Sequence, residues 1–175
     1  MKEIILSGFM GCGKSSIGIL VAEGIPGTEF RDLDDFIEEI SGRSIPEIFE
    51  EDGEEGFRQI EEAALDSLLM IDSDLGRSSV IALGGGTLCS PGCRSLVRDN
   101  GICFYLKASP ETLEKSLTEY PGERPMLDSE LPLRARIEEL LDERSSTYEE
   151  CADHVIMTDG RDYHEIAEEI LSLAR

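Results

Sequence analysis

Near the start of the chain, Gly8-Phe9-Met10-Gly11-Cys12-Gly13-Lys14-Ser15 brings glycines, a lysine and a hydroxyl into the pattern G-x-x-x-x-G-K-[ST]. Glycines at this density let successive backbone N–H groups turn inward around an anion. The run lies between an apolar stretch, Glu3–Ser7, and a helical one, Ser16–Glu23, so it is expected at a strand-to-helix junction. A helix beginning there adds the positive end of its dipole. The chemistry is phosphate binding. Gly8, Gly11, Cys12, Gly13, Ser15 and Ser16 are expected to cradle the phosphates of ATP, with Lys14 on the β- and γ-phosphates and the Ser15 hydroxyl on Mg²⁺.

A loop of this kind needs an acid near the metal, usually after an apolar strand. Val80-Ile81-Ala82-Leu83 is such a run, but Gly84-Gly85-Gly86 follows it. The acids come instead after the second apolar run, in Phe30-Arg31-Asp32-Leu33-Asp34-Asp35. Two apart on an extended strand end, Asp32 and Asp34 would share a face. They would then stand at the carboxyl edge of the sheet, where open α/β sheets bind ligands. Asp35 reads as an ordinary acid at a helix start. Three glycines in a row are entropically expensive, and they suit either close approach of a ligand or a tightly packed turn. Arg58, Arg124 and Arg144 also stand out by position, although single arginines are mostly surface residues.

The elements that must hold these residues alternate. Glu3–Ser7, Thr28–Arg31, Val80–Leu83, Ile102–Lys107 and His154–Met157 read as strands, several of them apolar on both faces. Helices are expected over Lys14–Glu23, Asp34–Ile40, Glu54–Ile71, Pro110–Leu117, Pro132–Tyr148 and Tyr163–Leu173. Phe57, Ile60, Ala64, Leu68 and Ile71 form one apolar stripe on the third of these. Ser109 before Pro110 reads as a cap with proline at the first helical position. Strand–helix alternation predicts a parallel sheet in an α/β sandwich. Thr118–Glu130, with Pro121-Gly122 and Arg124-Pro125, fits neither pattern and reads as a connection or a lid.

Composition narrows the function. The chain has 175 residues, 38 acidic against 16 basic side chains, and a formal charge of −22. That excludes a general nucleic-acid or anionic-membrane binder, which needs a basic face, and any anion site must gather its own local positive charge. No apolar run is long enough to span a bilayer, and the N-terminus has no signal-peptide pattern. The five cysteines include no C-x-x-C pair and no zinc set, which predicts reduced thiols in a cytoplasmic protein.

Taken together and in order, Gly8-x-x-Gly-x-Gly-Lys14-Ser15, Asp32-Leu33-Asp34, Ser44-Ile45-Pro46-Glu47-Ile48-Phe49, Gly56-Phe57-Arg58-x-x-Glu61, Gly84-Gly85-Gly86, Arg124-Pro125 and Arg144-x-x-x-Tyr148 resemble the shikimate kinase family over nearly the whole chain. The resemblance implies a three-layer α/β/α sandwich of the P-loop kinase type, with a parallel five-stranded sheet in the order 2-3-1-4-5. It implies one kinase domain over 1–175, a substrate-binding helical region at about 32–61 and a lid at about 118–130. It further implies ATP and Mg²⁺ as cofactors, shikimate as the small-molecule substrate, and a monomer.

Residue roles follow from the same resemblance. Asp34 would hold the acceptor hydroxyl and act as base, Asp32 would support Mg²⁺, and Lys14 would act on the phosphates. Arg58 and Arg144 would grip the substrate carboxylate, Gly84, Gly85 and Gly86 would line its pocket, and Arg124 would swing in with the lid. Family members commonly carry an arginine seven residues before the lid arginine, beside the adenine. Here that residue is Leu117, and Arg161 is the residue expected to serve the adenine instead.

Overall fold

The computed structural model describes residues 2–122 and 124–174. Met1 and Arg175, at the ends of the expected domain, and Glu123, inside the expected lid, lie outside the described residues. The strands are β1 (Glu3–Ser7), β2 (Glu29–Asp32), β3 (Ser79–Ala82), β4 (Gly101–Lys107) and β5 (His154–Met157). They pair in parallel in the order β2-β3-β1-β4-β5. Each expected strand is present, with ends within one residue of the sequence reading.

Side chains alternate across this sheet and divide the core. Ile4, Leu6, Phe104, Leu106 and Ile156 pack with α1 (Lys14–Glu23), α5 (Pro110–Glu119), α6 (Leu133–Cys151) and α7 (Tyr163–Leu173). Ile5, Ile81, Cys103 and Tyr105 face the other way, onto α2 (Leu33–Ser41), α3 (Ile45–Leu75) and α4 (Pro91–Asn100). Strands buried on both faces explain why they read as apolar runs without polar alternation. All five thiols are free, with Cys12, Cys93 and Cys103 buried and Cys89 exposed.

Helix starts follow local chemistry. Asp32 caps α2 by accepting from the Asp34 N–H, and Ser109 caps α5 as expected. Ser44 and Glu47 form a capping box at the start of α3. The sequence reading began this helix at Glu54. The structure starts it at Ile45 and breaks it at Gly53, whose φ of 71° and ψ of −177° are not helical. The helix α4 and the short turns Thr87–Cys89 and Pro125–Leu127 were not expected at all. Pro91-Gly92 hides α4, because both residues ordinarily signal a turn. Here Pro91 stands at the helix start, where its missing N–H costs nothing. Glu62 of α3 lies against this start and accepts from Ser90 Oγ at 2.7 Å.

At the opposite end of the sheet from the phosphate loop, two carboxylates are buried together. Glu3 accepts a hydrogen bond from the Ser79 N–H. Asp72 is buried, and neither of its oxygens is hydrogen-bonded by another group among the described residues. Burial pushes the Glu3 carboxyl above its usual range, the Ser79 bond opposes this, and the Asp72 charge adds to it. A folded-state pKa raised in this way gives stability at low pH that is lost as pH rises through the raised value. Asp72→Asn removes the repulsion. It is expected to stabilise the fold at pH 7–8 by about 1–2 kcal/mol, about 2–8 °C in Tm. The gain should shrink as pH falls into the carboxylate range; thermal melts across pH check it, and an unchanged or lower Tm at pH 8 would count against this reading.

Candidate active site

The loop between β1 and α1 is built on three left-handed glycines, Gly8 (φ 138°), Gly11 (φ 82°) and Gly13 (φ 97°). At Gly8 the requirement is double, because a Cβ there would also stand 2.6 Å from the Leu106 carbonyl. Lys14 folds back over the loop, and its Nζ donates to the carbonyls of Gly8 (2.8 Å) and Phe9 (3.0 Å). Cys12 turns its side chain into the core while its N–H donates to the Phe9 carbonyl. The cleft over the loop measures about 410 Å³; Gly11, Gly13, Lys14, Ser15 and Ser16 are among its lining residues.

Asp32 reaches the loop from β2. Its Oδ2 accepts from Ser15 Oγ at 2.6 Å, and its Oδ1 accepts from the Asp34 N–H at 3.0 Å. The two acids meet the same cleft by a different route from the one expected. Asp32 ends the strand and caps the helix, whereas Asp34 lies in the first turn of α2. A helical turn, not an extended strand end, therefore brings them together. Among the described residues there is no group of three or more His, Cys, Asp or Glu that could hold a metal. Ser15 and Asp32 offer two hard oxygen ligands, the donor set that suits a cation completing its shell with phosphate and water.

A second cavity, about 300 Å³, adjoins the first. Phe49, Phe57, Arg58, Glu61, Gly86 and Arg144 are among its walls. Met10, Asp34, Gly84, Gly85 and Arg124 line both cavities. Asp34 therefore stands where their contents would meet. Burial pushes its carboxyl up to about 7, the charges of Asp32 and Glu61 push the same way, and Lys14 opposes them. That is the range in which a carboxylate can take a proton during a reaction at neutral pH.

The arginines of the second cavity are held from behind. Arg58 pairs with the fully buried Glu61 at 2.7 Å, and Thr87 Oγ1 donates to the other Glu61 oxygen at 2.5 Å. Arg144, 3% exposed, donates to the Gly85 carbonyl at 3.2 Å, and Tyr148, one turn on, donates to the same oxygen. The triple glycine is needed for these contacts and not for unusual dihedrals, since none of the three has a positive φ. A Cβ at Gly84 would stand 2.9 Å from Asp34 Oδ1, and one at Gly86 would strike the Arg58 guanidinium. Glu61 had no role in the sequence reading. Its place three residues after Arg58 on a helix was the available signal.

Arg124 lies between the cavities, with Nη1 3.4 Å from the Tyr120 carbonyl. Arg161 lines neither cavity. It pairs with Glu169 at 2.7 Å and donates to the Met157 carbonyl. Ser116, Tyr120 and Tyr163 line the phosphate cleft, and no motif singled them out.

The family model described as Shikimate kinase matches residues 10–175. The chain belongs to the shikimate kinase family. A shikimate kinase of Caldanaerobacter subterraneus subsp. tengcongensis is 39% identical over 98% of this chain and 95% of its own length. One from Thermus thermophilus is 42% identical over 96% and 87%. Among solved structures, shikimate kinase from Acinetobacter baumannii in complex with shikimate superposes with a TM-score of 0.89. It is 34% identical, over 99% of this chain and 92% of that one. The β2-β3-β1-β4-β5 order and the phosphate loop are thus those of a shikimate kinase-type fold.

The close approach at Gly86 makes a test of the second cavity. Gly86→Ala must displace the Arg58 guanidinium, the movable end of a side chain, and leaves the backbone where it is. The KM for the acceptor should rise about tenfold or more while the KM for ATP stays within about twofold. Steady-state kinetics in both substrates measure this; an unchanged acceptor KM would show that Arg58 has room to spare.

Proposed function

We propose that this chain transfers the γ-phosphoryl group of ATP to the 3-hydroxyl of shikimate, giving shikimate 3-phosphate and ADP. The observation that carries the reading is the shared wall of the two cavities, with Asp34 at the join. The phosphate donor occupies the cleft over Gly8–Ser15, and the acceptor occupies the cavity of Arg58 and Arg144. Family membership and the shikimate-bound relative support the choice of acceptor.

Each residue has work matched to its surroundings. The N–H groups of the loop and Lys14 hold the β- and γ-phosphates. The Ser15 hydroxyl and the Asp32 carboxylate would hold Mg²⁺, Asp32 through water. When bound, Mg²⁺ neutralises phosphate charge and polarises the transferred group. Arg58 and Arg144 pair with the acceptor carboxylate, where planar guanidinium groups match carboxylate geometry. Asp34 accepts the proton of the 3-hydroxyl as its oxygen attacks phosphorus and the bond from γ-phosphorus to the β–γ bridging oxygen breaks. Arg124 compensates charge on the phosphoryl group in flight.

The same reading makes 1–175 a single working unit, with acceptor-binding helices at about 32–61 and a lid at about 118–130. No helix among the described residues is long and apolar enough to cross a membrane. With a charge of −22 the chain suits a cytoplasmic monomer that binds neither nucleic acid nor membrane.

A coupled ADP-release assay with shikimate beside gluconate tests the substrate. Shikimate-dependent turnover is expected, and turnover of gluconate alone would overturn the assignment. Asp34→Asn keeps the shape but cannot take the proton, so kcat should fall about 10²–10⁴-fold with shikimate affinity retained. A loss under tenfold at saturation would leave Asp34 with positioning only. Arg58 and Arg144 are tested by an amide analogue of shikimate. It should bind much worse than the acid to the native protein, and nearly as well as the acid to Arg58→Ala/Arg144→Ala. Equal discrimination in both proteins would remove the arginines from carboxylate reading.

A further inference from the structure

In a chain with 38 acidic and 16 basic side chains, a cation that lacks a carboxylate partner is informative. Among the described residues, Lys2, Lys14, Arg94, Arg98, Arg124 and Arg144 have no carboxylate oxygen within 4.0 Å; every other described lysine and arginine has one. Lys14, Arg124 and Arg144 line the two cavities of the candidate active site. Lys2, Arg94 and Arg98 line a third cavity, of about 140 Å³. The unpaired cations thus gather in two places, and only one of them has been given an anion to hold.

The third cavity lies at the far end of the sheet from the phosphate loop. Lys2 precedes β1, Gly101 opens β4, and Cys151, Ala152 and Asp153 join α6 to β5. The five residues of β1 separate it from the loop by about 16 Å. Arg94 and Arg98 stand one turn apart on one face of α4. Arg94 is fixed, because its Nη1 donates to the carbonyls of Leu88 (2.8 Å) and Cys89 (3.1 Å). Burial raises the Cys151 thiol, and the charges of Arg94 and Arg98 pull it back, so both guanidinium groups lie near this sulfur.

Two acids share the lining, Glu150 and Asp153. Asp153 Oδ2 is occupied by the Cys103 N–H at 2.8 Å, and Glu150 is exposed. Neither pairs with any of the three cations, so the positive charge stays available to a ligand. The volume admits a small oxyanion and not a nucleotide, for which the cleft over the loop offers about 410 Å³.

We propose that this third cavity binds a small tetrahedral oxyanion of the orthophosphate class, held by Lys2, Arg94 and Arg98. Guanidinium groups match the oxygens of such an anion in pairs, and an ammonium adds a point charge. The site is separate from the phosphate loop, which holds its anion with backbone N–H groups. It is independent of the acceptor and of the nucleotide.

The Cys151 thiol reports on the cavity it lines. Iodoacetamide, a neutral reagent, alkylates the folded protein while orthophosphate replaces chloride at constant ionic strength, and Cys151 is followed by peptide mass spectrometry. Saturating orthophosphate should slow Cys151 alkylation about tenfold in the native protein. In Lys2→Gln/Arg98→Gln, which leaves the fixed Arg94 in place, the protection should fall below about twofold. No protection in the native protein, or equal protection in both, would overturn the site. Thermal melts add a readout that needs no reaction at the thiol, and without ligand they establish that the variant is folded. Saturating orthophosphate should raise the native Tm by about 3 °C or more beyond the rise in the variant. Orthophosphate at the loop over Gly8–Ser15 contributes equally to both proteins, so the difference belongs to the third cavity. Equal rises in the two proteins would also overturn the proposal.

Discussion

One carboxylate ties the nucleotide half of the site to the acceptor half. Asp32 stands at the end of β2, and β3 separates that strand from β1 and its loop. Its two oxygens nevertheless reach Ser15 on α1 and the N–H of Asp34 on α2. The first contact fixes a hydroxyl at the start of α1, and the second fixes the start of the helix that carries Asp34. Because both substrates must be aligned on one short path for transfer, the bridge sets the precision of the whole centre.

Around that bridge, charge is arranged against the character of the whole chain. A surface dominated by acids repels both ATP and a carboxylated acceptor at long range. The local cations are therefore held by buried partners that leave part of each free. Glu61 anchors Arg58 from inside and in turn receives Thr87, so this buried carboxylate is doubly hydrogen-bonded. Arg144 is anchored by a neutral carbonyl, which leaves its charge uncompensated by that contact. The crowding of Asp32, Asp34 and Glu61 raises the Asp34 carboxyl, and burial contributes more than either neighbour.

Much of this was legible in the chain before any coordinates. The strands announced themselves as apolar runs, because both faces of the sheet are covered. The phosphate loop announced itself because its backbone geometry admits few residues besides glycine. Arg58, Arg144 and the triple glycine drew attention as residue types, but their mutual fit is three-dimensional: only the coordinates show that Gly86 is a glycine because Arg58 lies against it. Helix α4 escaped notice because Pro91-Gly92 reads locally as a turn, while Glu62, which accepts from Ser90, lies 28 residues away in the chain. Tyr120 and Tyr163 escaped for a similar reason, since an exposed tyrosine at a helix end has no periodicity to betray it. Asp32 and Asp34 were paired correctly for an incorrect geometric reason.

The break at Gly53 divides labour within what would otherwise be one rod. The residues before it, Ile45, Pro46 and Phe49, supply apolar wall to the second cavity, and those after it, Arg58 and Glu61, belong to a helix rooted in the core. Gly42, also left-handed, separates the same wall segment from α2. The wall is thus a short cassette between two glycine joints, outside the phosphate-handling machinery. Inheritance could rewrite such a cassette piecemeal, trying new acceptor shapes, while the costly apparatus for moving phosphate is passed down untouched.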